Sequence, residues 1–325
     1  MKKRVRQGMS LVELLVCISI LAVLVSLTIV GITSIRESSR RLTCQNNLRQ
    51  FGTAIHSFEA ARKRLPTLRS TIQTLENGRA VFVAASLHYQ LLAYVEQADL
   101  ANQPVPTLMA SSVDIQIAYA PLKPIDSTSI PIFQCPADAF GLGTSYRTCI
   151  GPDSHLFENK SIDEGGLGLF GVENPTVARA SRGSSHVCMI SERLRSSVGS
   201  FEPSADVWFG NLVPPYAPVK TEILKQAAYN GFTLRPTRYY DFSGRSWFHS
   251  GALFTTYTHA VPPNAAATSL LASSHLSDTG WGALVSASSR HSGGVNCLLG
   301  DGSVQFFSNN VDQLIWQDFA TAVLK

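Results

Sequence analysis

An imidazole and a carboxylate, His291 and Asp301, stand ten positions apart near the end of this chain. Such a pair can ligate a metal or relay a proton. Their setting argues for a plainer role. Residues 295–299, Gly300-Asp301-Gly302 and residues 303–307 read as strand, turn and strand, because Asp-Gly suits the positive φ of a tight hairpin turn. Aspartate in such a turn serves backbone conformation and local hydrogen bonds, so His291, Asp301 and Gly302 are expected to be structural. None of the eight histidines forms His-Glu-x-x-His or another close ligand pair. His249 and His259 fall in an aromatic stretch and read as satisfied surface or core residues. Asp163-Glu164 ahead of Gly165-Gly166 reads as a turn, and no calcium-loop alternation of acids occurs. A Gly-x-Ser-x-Gly elbow, a phosphate-cradling Gly-x4-Gly-Lys-Ser/Thr and a dinucleotide glycine fingerprint are also missing. The expectation is a protein with no catalytic residue, no metal and no cofactor.

Six cysteines, at 17, 44, 135, 149, 188 and 297, include no Cys-x-x-Cys, so neither a zinc ribbon nor a thioredoxin-type site is signalled. Cys17 lies in an apolar run and acts there as a small hydrophobe. The other five are an odd number, so in an oxidising compartment at least one is free or bonded to another chain.

Composition narrows the class. Of 325 residues, 45% are hydrophobic and 15% charged, which excludes a disordered chain. Only one stretch is long enough to span a bilayer, which excludes a polytopic membrane protein. The net charge is +4, and residues 1–8 alone hold Lys2, Lys3, Arg4 and Arg6 with no acid. Residues 65–325 hold 16 basic and 20 acidic side chains. A nucleic-acid partner is not expected from that distribution.

The spanning candidate is residues 11–32, apolar except at Glu13, Ser19, Ser26, Thr28 and Gly31. As a helix it would extend roughly 33 Å, the thickness of a hydrocarbon core. It is too long for a removed signal peptide, and no A-x-A site follows it. The basic leader places the N-terminus in the cytoplasm. A carboxylate inside such a helix costs roughly 2.5–3.5 kcal/mol at mid-membrane, which makes Glu13 a functional candidate. Beyond the membrane, Cys44, Leu48, Phe51, Ile55 and Phe58 recur at spacings of 4, 3, 4 and 3, one apolar stripe of a helix that packs on a soluble domain. No proline interrupts before Pro66, so a helix over about 10–64 is expected. After Pro66, short apolar runs between Gly, Pro, Ser and Thr read as many short strands. Short helices are expected at 86–96 and 311–323.

Two sets of residues carry a resemblance. The run Arg6-Gln7-Gly8-Met9-Ser10-Leu11-Val12-Glu13 resembles the type IV prepilin signal. The resemblance implies a prepilin peptidase cutting between Gly8 and Met9, methylation of Met9, and Glu13 at the fifth mature position. There Glu13 would pair with a neighbouring subunit's N-terminal amine and set assembly register. The run Arg40-Arg41-Leu42-Thr43-Cys44-Gln45-Asn46-Asn47-Leu48-Arg49-Gln50-Phe51-Gly52 is similar to the extended-helix signature of a large bacterial family. Its members carry a prepilin-type N-terminus and the domain of unknown function 1559. Later landmarks are Phe133-Gln134-Cys135-Pro136-Ala137-Asp138, Ser145-Tyr146, Ser191-Glu192-Arg193, Val261-Pro262-Pro263-Asn264, and His291 nine residues before Asp301-Gly302. Because Cys44 and Cys135 both sit in these landmarks, the resemblance implies that they pair and staple helix to domain. Buried free thiols throughout are the competing reading.

The expected architecture is α+β: a long pilin-like N-terminal helix, membrane-spanning in its first half, packed on a large antiparallel β-rich domain. The segments are a leader at 1–8, the transmembrane half at 9–32, the amphipathic half at 33–65, and the extracytoplasmic domain with its C-terminal hairpin at 66–325. The expected function is that of a pilin- or pseudopilin-like structural subunit rather than an enzyme. It would be single-pass in the inner membrane and assemble with itself or related subunits in a secretion or pilus-type system, type II secretion included. The alternative is a tethered extracytoplasmic binding module for a saccharide, envelope component or protein, with Trp247, Phe248, Phe254, Tyr257 and Trp281 as candidate surface aromatics.

Overall fold

The computed structural model describes residues 11–76, 79–103, 128–138, 141–152, 168–170, 180–181, 183–197, 202, 204–209, 226, 238–240, 243–265, 269–271 and 283–322. The leader with Gly8 and Met9, the Asp163-Glu164 turn and Trp281 lie outside the described residues.

Helix α1 runs Leu11–Arg62, as the absence of proline and the abundance of Leu, Ile, Val and Ala dictate. It stops where Lys63 takes a left-handed φ of 58° and Pro66 follows. Two compact units divide the chain, Met1–Leu42 and Thr43–Lys325. In the first, the large apolar side chains from Leu11 to Val25 are 47–79% exposed. Ser19 and Ser26 donate their hydroxyls to the carbonyls of Val16 and Val23, both at 2.8 Å, so this stretch carries few unsatisfied polar groups. Among the described residues no helix is long and apolar enough to cross a membrane; the described side chains of this stretch end at Ser26.

The second unit is built around the stripe. Cys44, Leu48, Phe51 and Ile55 have no exposed surface, and Phe58 has 5%. Burial of each such side chain contributes roughly 1.5–3 kcal/mol. Phe51 stacks on Phe133 at 5.3 Å and meets the rings of His88 and Tyr146 edge-on at 5.3 and 5.7 Å.

Strands β1 (Arg69–Glu76) and β2 (Arg79–Ser86) form an antiparallel hairpin. Helices α2 (Leu87–Leu91) and α3 (Ala98–Ala101) follow. Four further strands are β3 (Tyr146–Cys149), β4 (Cys188–Glu192), β5 (Val207–Phe209) and β6 (Arg238–Tyr240). The last five are β7 (Thr256–Tyr257), β8 (Ser269–Leu271), β9 (Ala283–Leu284), β10 (Gly294–Leu299) and β11 (Val304–Ser308). Helix α4 (Gln313–Asp318) is capped by Asp312, whose carboxylate accepts from the Leu314 and Ile315 amides. One sheet has the order β11-β10-β4-β3-β7 and another β6-β5-β8-β9.

The sheets are mixed, which corrects the antiparallel expectation: β3 pairs β7 in parallel, and β5 pairs β8 in parallel. Local turn signals reveal hairpins, whereas a parallel pair needs a long crossover that leaves no local mark. The β10–β11 hairpin pairs Leu298 with Val304. Its turn places Gly302 at φ 83°, and Asp301 accepts from the Ser303 amide at 2.9 Å and hydroxyl at 2.6 Å. Partial burial opposes ionisation of Asp301, but those two bonds and its own backbone amide outweigh it and lower the carboxyl below its ordinary value.

Candidate functional site

Four buried side chains from distant parts of the second unit converge beneath α1. The stripe supplies Cys44, and the 3₁₀ turn Pro131–Phe133 leads into Cys135. Glu192 ends β4, and His291 precedes β10. Cys44 and Cys135 are joined as a disulfide across 91 residues, their Cα atoms 5.2 Å apart. Nε2 of His291 lies 3.5 Å from Sγ of Cys135 and 3.3 Å from Oε1 of Glu192. The donor atoms of all four residues lie within 4.8 Å of one another.

Glu192 is held from behind. Its carboxylate accepts from the backbone N–H of Asn296 at 2.8 Å and from the Asn296 side-chain amide at 3.0 Å. Oδ1 of Asn296 in turn accepts from Gln45 Nε2 at 3.0 Å. Other landmark residues close around the same place. Asn47 donates to the Gln134 carbonyl at 2.9 Å, and the Tyr146 hydroxyl donates to the Cys44 carbonyl at 3.4 Å. Asp138 accepts from Ser145 at 2.8 Å and from Arg195 Nε at 2.9 Å. Asn264 accepts from the Ser289 amide at 2.8 Å, two residues before His291.

His291 and Asp301 thus have separate partners. His291 is buried against the disulfide and Glu192, while Asp301 is exposed in the hairpin turn. Both ends of the spacing nevertheless address α1. A Cβ built on Gly52 would lie 3.0 Å from Leu298 Cδ1 and 3.3 Å from Gly302 Cα, so helix and turn approach each other closely through two glycines. Gly52→Leu is expected to cost about 1–3 kcal/mol by overpacking this crossing, read as a lower denaturant midpoint at unchanged slope.

Residues 33–314 match the family described as "Protein of unknown function (DUF1559)". The chain belongs to the DUF1559 family. Residues 3–29 match the prokaryotic N-terminal methylation motif, the mark of prepilin-type processing. No curated protein and no solved structure matches the chain.

In this DUF1559 chain, Glu192, Asn296 and Gln45 are the site residues that sequence reasoning missed. All three stood inside landmarks, but no spacing pairs a strand end at 192 with a strand at 296. A second sulfur-bearing cluster was also unforeseen. Cys149, Cys188 and Cys297 are free, buried thiols. Cys188 Sγ lies 3.0 Å from the Tyr257 hydroxyl, which lies 2.9 Å from His259 Nε2. Burial raises the thiols of Cys149 and Cys188 well above their ordinary value, which leaves them protonated and unreactive. Of the candidate surface aromatics, Trp247, Phe248 and Tyr257 have no exposed surface and Phe254 is partly buried.

Proposed function

We propose that this DUF1559 protein is an exported, pilin- or pseudopilin-like structural subunit. A prepilin peptidase removes residues 1–8, Met9 is methylated, and α1 holds the chain in the inner membrane with its N-terminus cytoplasmic and the second unit outside. The subunit then packs through α1 with itself or related subunits in a secretion or pilus-type system. The observation that carries this reading is the methylation motif at residues 3–29, set on a helix whose apolar side chains from Leu11 to Val25 are exposed. Exposed apolar surface on that scale is stable only against lipid or other helices. The 22-residue apolar run of the sequence supports the membrane anchor, and Glu13 in its first turn supports pairing with a neighbour's amine.

Mass spectrometry of the N-terminus of cell-derived protein tests the processing, with methylated Met9 as the expected first residue. Glu13→Ala tests the assembly. It is expected to leave cleavage and membrane retention intact while abolishing co-isolated oligomers or filaments. Assembly unchanged in that variant would favour a tethered module that does not polymerise.

A further inference from the structure

A disulfide is uncharged and needs no polar neighbour, yet this one is packed against a buried imidazole and a buried carboxylate. Burying such a pair is costly without a compensating partner. The four-residue cluster contains its own answer. In a tetrahedral zinc site with bonds of about 2.3 Å to sulfur and 2.0–2.1 Å to nitrogen and oxygen, the N···S edge is roughly 3.5 Å and the N···O edge roughly 3.3 Å. His291 Nε2 lies 3.5 Å from Cys135 Sγ and 3.3 Å from Glu192 Oε1. Two edges of the tetrahedron are therefore already set. The remaining adjustment is at the sulfurs, which a disulfide holds at about 2.05 Å and a zinc site at roughly 3.8 Å.

We propose that Cys44, Cys135, Glu192 and His291 form a zinc-binding site in the reduced chain, so that a metal or a disulfide can close the same 91-residue loop. Entry requires a dithiol or phosphine reductant. A dithiol gives two electrons and two protons to the Cys44–Cys135 bond and becomes a disulfide itself; the metal ion then displaces both thiol protons and binds two thiolates. In the reverse direction, a disulfide-bearing oxidant takes two electrons from the thiolates, the sulfur–sulfur bond forms and the ion leaves. The supporting layer is in place: Asn296 orients Glu192 through two hydrogen bonds, and Gln45 orients Asn296, the arrangement that tunes ligand direction in metal sites. All four donors are buried, which excludes competing water. The chemistry selects a thiophilic divalent ion such as Zn2+ over calcium or magnesium, which take oxygen donors. The site would hold α1 to the β domain before oxidation has occurred.

The test uses the full chain purified under a phosphine reductant, with all six thiols titrating as free, and the same chain oxidised. After incubation with Zn2+ and removal of excess, the reduced chain is expected to retain one equivalent and the oxidised chain none. Co2+ in place of Zn2+ should give the strong visible bands of a tetrahedral thiolate site. Glu192→Gln and His291→Ala are expected to abolish stoichiometric retention, and Asn296→Ala to weaken it 10- to 100-fold. Reduced chain without metal overturns the proposal. So does one equivalent that survives in the Cys44→Ser/Cys135→Ser chain, because Cys149, Cys188 and Cys297 would then be the ligands. If that serine pair does not fold, Glu192→Gln decides, since its oxidised form keeps the disulfide and its fold can be checked by circular dichroism; undiminished metal retention there overturns the proposal equally.

Discussion

Replacing Cys44 and Cys135 together by serine is expected to lower the stability of the second unit by about 4–5 kcal/mol. The bridge spans 91 residues, and releasing a loop of that length returns to the unfolded chain a conformational freedom worth about that much in the chain-entropy description. Few single contacts in the domain approach it. The apolar stripe of α1 stays intact in the variant, so the helix should still form and still pack; what weakens is its covalent attachment at the level of Cys44. Chemical denaturation in the presence of a metal chelator is the measurement, with oxidised wild type, reduced wild type and the serine pair compared. The two chains lacking the bond should agree with each other and fall well below the oxidised protein. Midpoints within about 1 kcal/mol of the oxidised chain would mean that the stem is held by packing alone.

Acid should unfold the protein along a limb set by His88. Its ring is buried between Phe51 and Phe133, and Nε2 lies 2.8 Å from the Tyr146 carbonyl, so that nitrogen donates and the ring is neutral. Burial lowers its pKa from the ordinary 6.5 to about 4. The unfolded chain takes up the proton near pH 6.5 and the folded chain only near 4. The stability contributed by neutral His88 is therefore fully present above pH 6.5 and is lost as pH falls towards 4, by about 3 kcal/mol in all. Burial shifts His249 in the same direction and steepens the limb. Thermal melts between pH 7 and 4 should show a falling midpoint across that window. His88→Gln, whose amide can donate to the same carbonyl, should flatten the part due to His88. An unaltered slope in that variant would assign the limb to other groups.

Several features of this protein are readable along the chain because their causes are local. The run without proline up to Pro66 and the spacing of Cys44, Leu48, Phe51, Ile55 and Phe58 lead directly to a helix with one buried face, since helical periodicity is a property of neighbours in sequence. Asp301-Gly302 marks a hairpin for the same reason: turn conformation is decided within four residues. The methylation motif is a contiguous run read by a peptidase and needs no fold to be recognised.

What required the tertiary structure is every partnership across distance. The parallel pairing of β3 with β7 and of β5 with β8 depends on crossovers that leave no periodic trace. Glu192 and Asn296 are 104 residues apart in sequence, and only the pairing of β4 with β10 makes them neighbours. The same holds for the two glycines at the crossing of α1 and the hairpin turn, whose small size matters only once helix and turn meet. For His291 and Asp301, the chain shows their spacing and the turn between strands. The fold separates them, sending the imidazole inward to sulfur and carboxylate and leaving the aspartate at the surface. The sequence by itself determined the helix, its buried face, the turn and the processing signal, because local sterics and hydrophobic period suffice for those. Which buried polar groups stand together was decided by the tertiary structure, because a polar group is tolerated in the interior only where distant parts of the chain bring it a partner.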